Sequence, residues 1–299
     1  MNKNVLKLIL FPILSTSLFA CGGSPVNEHP TPKTSESEKP SEVESPIDSS
    51  TESEEETTPK EYKVLFIGNS FTFYNELDVV SEAIGKNLGL NITCERVAAS
   101  SYHLYQHADS SDEYGKQVEE KIQKNTYTHI IMQEHSTYPV NNYNGFLSGA
   151  TQLYNKLKQY QPNASISLYQ TWGFQNMVGS YGSDIPACEQ SLCEAYQKCA
   201  KALDIKVHYV GKAFTKVYKE NSNINLYYSD NKHPSYSGTY LAALVHLMSI
   251  TGEDVREVTY QGIEGKTTNV GEVSYIDDDK ADILRNAAYN IVKTYGTNY

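Results

Sequence analysis

One tryptophan, four methionines and five cysteines are all that this chain of 299 residues holds of those types, and its basic residues, 25, fall short of its acidic ones, 36. The formal net charge of −11 argues against nucleic acid as a partner, because a phosphate backbone is gripped by a positive field. Much of that excess lies in one stretch, where ten acidic residues face three basic ones between Ser24 and Lys60. What remains is mildly acidic and excludes little else. Also missing, beyond the first twenty residues, is any apolar run near the ~20 residues a membrane-spanning helix needs. Cysteine is too sparse for a disulfide scaffold. Apart from Cys21 there are Cys94, Cys188, Cys193 and Cys199; the last three share one helical stretch, where disulfide geometry is rarely met, so free buried thiols are expected. A zinc site would want tighter pairs with histidines nearby.

The first twenty residues read as an export signal. Lys3 and Lys7 form a basic start, and Leu8 to Phe19 is apolar but too short to cross a bilayer. The run ends Leu18-Phe19-Ala20-Cys21-Gly22, which resembles a bacterial lipobox. That resemblance implies cleavage before Cys21, lipidation of its thiol and attachment to a membrane surface outside the cytoplasm. Residues 21–60 are Pro, Ser, Thr and Glu with almost no apolar content, so they read as a disordered acidic stalk. Folded sequence is expected over 61–299.

From Tyr62 on, short apolar runs alternate with longer amphipathic ones. Strands are expected at Tyr62–Ile67, Ile92–Val97, His129–Met132, Ser165–Gln170 and Lys206–Val210, and helices at Leu77–Leu88, Gln117–Gln123, Phe146–Tyr160 and Glu189–Leu203. The alternation predicts an α/β fold, a five-stranded parallel sheet between two helical layers. Sites in such sheets form at the carboxyl ends of strands, which puts the segments after Ile67, Val97 and Met132 on one rim. Tyr260–Val273 and a helix over Lys280–Thr294 read as a packing extension.

Two short segments carry chemistry. Gly68-Asn69-Ser70-Phe71-Thr72 follows the first strand directly, so Ser70 can project its hydroxyl over the rim, although a serine there is often only a helix cap. Far along the chain stands Asp230-Asn231-Lys232-His233-Pro234. Pro234 disfavours the α conformation at His233, and a helix should follow, carrying Tyr240, Leu241, Leu244 and Met248 inward and ending near Gly252. An Asp three residues before such a His can accept from its Nδ1–H and leave Nε2 as a base. A plain Asp turn beside a solvent-facing His is the other reading.

Together these blocks resemble the opening and closing motifs of the SGNH/GDSL hydrolases, over about Tyr62 to Gly252. The Asp-x-x-His-Pro segment is the more specific of the two. The resemblance implies a flavodoxin-like three-layer fold and a serine esterase with Ser70, Asp230 and His233 as catalytic groups, needing no metal or organic cofactor. Two middle blocks depart from the family pattern. The usual glycine after the second strand is absent from Ala98-Ala99-Ser100-Ser101-Tyr102-His103-Leu104, and Gln133-Glu134-His135-Ser136 stands where Gly-x-Asn-Asp is usual. The expected oxyanion donors are therefore the N–H groups of Ser70 and Ser101 and the carboxamide of Gln133, with Ser136 as second choice.

His103 and His107 are four apart, as zinc ligands can be, but lack a third ligand and read as surface or rim residues. Glu134 and His135 are expected to line the cleft. A metal-dependent hydrolase built on Glu134, His135, Asp230 and His233 would leave Ser70 without a role. The 24 tyrosines include Tyr102, Tyr105, Tyr138, Tyr143, Tyr227, Tyr228 and Tyr236 near the expected rim, with Trp172 beside them. Aromatic faces suit sugar rings, so the expected substrate is a small or polysaccharide ester, favouring acetyl groups on a glycan. Lipid or aryl esters on the same triad, or a glycan-binding lipoprotein without catalysis, are the alternatives.

Overall fold

The run Tyr62–Ile67 shows no polar alternation, as expected for a strand covered on both faces. In the computed structural model, which describes residues 60–296, it becomes β1 (Glu61–Gly68), and Val64 to Ile67 are buried. The export signal, Cys21 and nearly all of the acidic stalk lie outside the described residues. After β1 come the one-turn α1 (Ser70–Phe73), α2 (Leu77–Asn87), β2 (Asn91–Ala98), α3 (Leu104–Ala108) and α4 (Glu113–Lys124). The middle of the chain holds β3 (His129–Met132), α5 (Tyr138–Asn141), α6 (Tyr143–Tyr160), β4 (Ser165–Tyr169) and α7 (Ile185–Leu203). It closes with β5 (Lys206–His208), α8 (Val210–Glu220), α9 (Tyr236–Thr251), a hairpin of β6 (Gly262–Thr267) and β7 (Val273–Tyr275), and α10 (Asp278–Tyr295).

The main sheet has five strands in the order β2-β1-β3-β4-β5, with every pairing parallel. α9 packs on α2, α8 and α10, while α6 packs on α3, α4 and α7. This is the three-layer α/β/α arrangement. The chain runs outward from β1 to β2 and then crosses to β3 on the other side of β1. Strand order therefore reverses between β1 and β3, and the crevice at their carboxyl ends is where such folds take ligands.

Several boundaries differ from the periodicity for local reasons. Helix α4 starts at Glu113, four residues before the first expected one, because Asp112 caps it by accepting from the N–H groups of Tyr114 and Gly115 at 2.9 and 3.2 Å. Asn142 and Asp184 extend α6 and α7 in the same way. The first turns of α4 and α6 carry little apolar period, so pattern reading misses them. β5 stops at His208 because Tyr209 turns the chain, and Val210 is already helical.

Every residue of α9 from Gly238 to Met248 is buried, as befits a helix surrounded by protein. His246 on this helix places Nδ1 2.8 Å from Nδ1 of His208 on β5. Burial pushes His208 down to about 3 and His246 well below its usual value. Both rings are thus neutral, one donating and one accepting. Cys188, Cys193 and Cys199 are free and buried on α7, while the free Cys94 is half-buried. Burial raises Cys193 and Cys199 to about 12, which makes them inert thiols.

Candidate active site

The serine turn is built by close packing around Gly68. Its backbone needs no positive φ, but a Cβ there would run into Thr72 Oγ1 and Gln133 Oε1. Room for Gln133, not a special turn, is what demands glycine. Gln133 Oε1 accepts from the Asn69 N–H and from the Thr72 hydroxyl, each at 3.0 Å. Asn69 in turn accepts from the Phe71 N–H at 3.2 Å and donates to the Tyr102 carbonyl at 3.0 Å. His107 is wholly buried, and its Nε2–H donates to the Gly68 carbonyl at 2.8 Å. Burial pushes that imidazole down to about 4, so it stays neutral. Ser70 emerges from this scaffold as the first residue of α1, where no intrahelical acceptor exists for its N–H.

The facing loop joins α8 to α9. Asp230 Oδ1 accepts from the N–H groups of Lys232 and His233, both at 3.0 Å, while Asn231 between them takes a left-handed φ of 57°. Asp230 Oδ2 lies 2.5 Å from His233 Nδ1, and His233 Nε2 lies 2.8 Å from Ser70 Oγ. The structure thus brings Ser70, Asp230 and His233 into one hydrogen-bonded line. Partial burial pushes the Asp230 carboxyl up, but its bonds to the His233 ring and to two backbone N–H groups outweigh this and hold it below its usual value. It stays ionised at neutral pH. Tyr74 stacks on the His233 ring at 4.1 Å and 10°, and Phe71 meets the same ring edge-on at 5.6 Å. The carbonyl of His233 accepts from the Tyr228 N–H at 2.7 Å. The Lys232 carbonyl accepts from Trp172 Nε1 at 3.0 Å.

Two backbone N–H groups, those of Ser70 and Ser101, are the candidate donors. Ser101 has φ 60°, a conformation that favours glycine, at the loop where the family pattern carries one. Among the described residues no acceptor engages the N–H of Ser101 or of Ser70. Asn69 ties the two segments together through Tyr102. Gln133 is not the third donor that the sequence suggested. Its oxygen holds the serine turn and its Nε2 donates to the Glu134 carbonyl. Exchanging the two amide atoms would set a donor against the Asn69 N–H, so this orientation is fixed by the backbone. Ser136, the second choice, is buried.

No protein-family model and no curated protein sequence matches the chain. Solved structures do match. A DUF4886 family protein from Bacteroides uniformis superimposes with a TM-score of 0.66 at 19% identity, covering 79% of this chain and 96% of its own. A protein from Slackia heliotrinireducens, provisionally assigned to the SGNH hydrolases, gives 0.53 at 21%, covering 63% of this chain and 98% of its own. The fold is that of the SGNH hydrolases.

Around this SGNH core several side chains sit elsewhere than expected. Glu134 does not line the cleft. It is fully buried, accepting from His103 Nδ1 at 2.9 Å, from the His135 N–H at 2.6 Å and from the Leu104 N–H at 3.3 Å. It thereby pins the start of α3 beside the Ser101 loop. His135 is half-buried, and burial lowers it to about 4. His107 is a core residue, not a rim one. Trp172 cannot meet a sugar, being wholly buried in a stack between Phe71 at 4.6 Å and Phe214 at 4.1 Å. Tyr236 is likewise buried.

The hairpin, expected only as a packing extension, reaches the candidate site from the far end of the chain. Asn269 Nδ2 donates to the Phe73 carbonyl at 2.8 Å, next to Tyr74. Tyr228 meets the Tyr74 ring edge-on and donates its hydroxyl to the Val270 carbonyl at 3.4 Å. Glu272 accepts the Tyr236 N–H at the start of α9 at 2.5 Å. The extension therefore buttresses the aromatic residue that covers His233. No signal in its sequence could have shown this.

Proposed function

We propose that the chain is a serine esterase. The observation that carries this reading is the 2.8 Å contact of Ser70 Oγ with His233 Nε2, in line with Asp230. His233 Nε2 takes the Ser70 proton as Oγ bonds to the ester carbonyl carbon. The N–H groups of Ser70 and Ser101 receive the oxyanion, an effect worth ~10²–10³ in rate per donor. Imidazolium, stabilised by Asp230, returns the proton to the departing alcohol. A water molecule then releases the acid by the same path.

The favoured substrate is a short acyl ester, acetyl above all, on a glycan. Exposed Tyr105 and half-buried Tyr138 flank His103 near the Ser101 loop, at 5.3 and 4.3 Å between ring centres, and His135 adds a third ring at 4.8 Å. Such a cluster offers aromatic faces and ring nitrogens to a hydroxylated ring. Cys21 would tether the enzyme by lipid outside the cytoplasm, where surface and environmental glycans are reached. The test is covalent labelling by a fluorophosphonate, alongside turnover of acetyl esters. Both are expected in the native chain and absent from Ser70→Ala. An unlabelled native protein, or full turnover by Ser70→Ala, defeats the reading.

A further inference from the structure

Beside the Asp230–His233 turn lies a cavity of about 420 Å³, between the segment after β4, the start of α7, the end of α8 and the loop leading to Asn231. That volume falls within the range of small-molecule sites. Its lining holds no Asp, Glu, Lys, Arg or His. Three carboxamides, Gln175, Asn225 and Asn231, and the exposed ring of Tyr218 stand over an apolar floor that includes Ile185 and Ile224. Carboxamides both donate and accept, which suits neutral hydroxyls, and a tyrosine ring offers a face for stacking. A carboxylate or phosphate would find no positive charge here, and an acyl tail would leave the carboxamides unpaired.

The contrast with a second cavity sharpens the point. A space of about 690 Å³ between α7, α8 and α10 is lined by the charged Lys212, Lys216, Lys219, Glu189 and Glu220, and neither cavity is lined by Ser70, Asp230 or His233 themselves. The smaller cavity shares a wall with the catalytic loop itself, because Asn231 sits between Asp230 and Lys232. Asn231 is held there by its N–H bond to the Tyr228 carbonyl at 2.9 Å. An occupant touching Asn231 contacts the loop that carries Asp230 and His233.

We infer that this cavity is the subsite for the alcohol side of the substrate, binding an uncharged sugar unit of an acylated glycan. The inference rests on the esterase reading for its role in turnover but makes a binding claim of its own. Tyr218→Ala and Gln175→Ala touch none of the residues in the Ser70 line. With acetylated xylotriose as substrate, KM should rise about tenfold in Tyr218→Ala while kcat holds, the pattern of lost uniform binding. Hydrolysis of p-nitrophenyl acetate, which has no sugar, should be unchanged in both variants. Calorimetric titration of unacetylated xylotriose into Ser70→Ala, with and without Tyr218→Ala, should show the same loss of affinity without any turnover. Equal KM and equal affinity in all forms overturn the subsite, as does tighter binding of trigalacturonate than of the neutral sugar. Loss of p-nitrophenyl acetate turnover in the native chain would instead overturn the esterase, and the titration would still decide the cavity.

Discussion

The two halves of the site are held in different ways. The serine half grows out of the sheet, where Gly68, Asn69, Thr72, His107 and Gln133 satisfy one another in buried space. The histidine half is a loop with an exposed Asp230, steadied by backbone bonds within the turn, the Trp172 donor, two aromatic rings against His233 and a hairpin that arrives late in the chain. A nucleophile on a strand end must be fixed before anything can be built around it. A base that swings a proton between two oxygens can be held by contacts at the surface, provided its ring plane and tautomer are set. Defects on the serine side should therefore cost stability and rate together, and defects on the histidine side mostly rate.

Asp230→Asn is the hardest test of that division. It leaves both backbone bonds possible but no longer selects the Nδ1–H tautomer, so kcat should fall on the order of 10⁴-fold with only a small drop in the unfolding midpoint. A large loss of stability would place the loop in the core and erase the contrast. Next comes acid. His107 is neutral when folded, with its pKa depressed from about 6.5 to about 4, so the folded state binds fewer protons than the unfolded one. Its contribution is complete above pH 6.5 and is lost as pH falls towards 4, on the order of 3 kcal/mol in all. His208 and His246 act with the same sign. Urea unfolding across that window should show the decline, and His107→Gln should flatten its slope by about one proton.

What the chain revealed in advance was whatever is local. Gly68-Asn69-Ser70 and Asp230-x-x-His233-Pro234 each carry their geometry within five residues, and the sheet follows from apolar runs of strand length. Ser101 was named from the family's missing glycine, and its left-handed φ of 60° shows that the backbone there does take a glycine-like conformation. The task of Gln133 was not, since a carboxamide shows its role only through the atoms it faces, and the same residue could donate to substrate or clamp a turn. Trp172 and His107 misled for a related reason: a ring in a rim segment can turn inward, and composition does not record the direction. The hairpin contact joins Asn269 to Phe73 across 196 positions, beyond the reach of any periodicity.

Gln133→Ala sharpens the comparison from the serine side. It strands the buried Asn69 N–H, at about 1–3 kcal/mol, and frees Thr72, so the unfolding midpoint and kcat should drop together. Asn269→Ala is its counterpart and the smallest effect expected. It removes one bond worth roughly 0.5–1.5 kcal/mol, made to the Phe73 carbonyl by an exposed side chain. Tyr74 then loses part of its support, and the His233 ring gains freedom in the plane where it must meet Ser70. A two- to tenfold fall in kcat is expected, with KM nearly unmoved and the unfolding midpoint lowered less than in Gln133→Ala. If Asn269→Ala lowers stability as much as Gln133→Ala does, the hairpin is ordinary packing and the histidine half is as rigidly built as the serine half. If it lowers chiefly kcat, the extension belongs to the site.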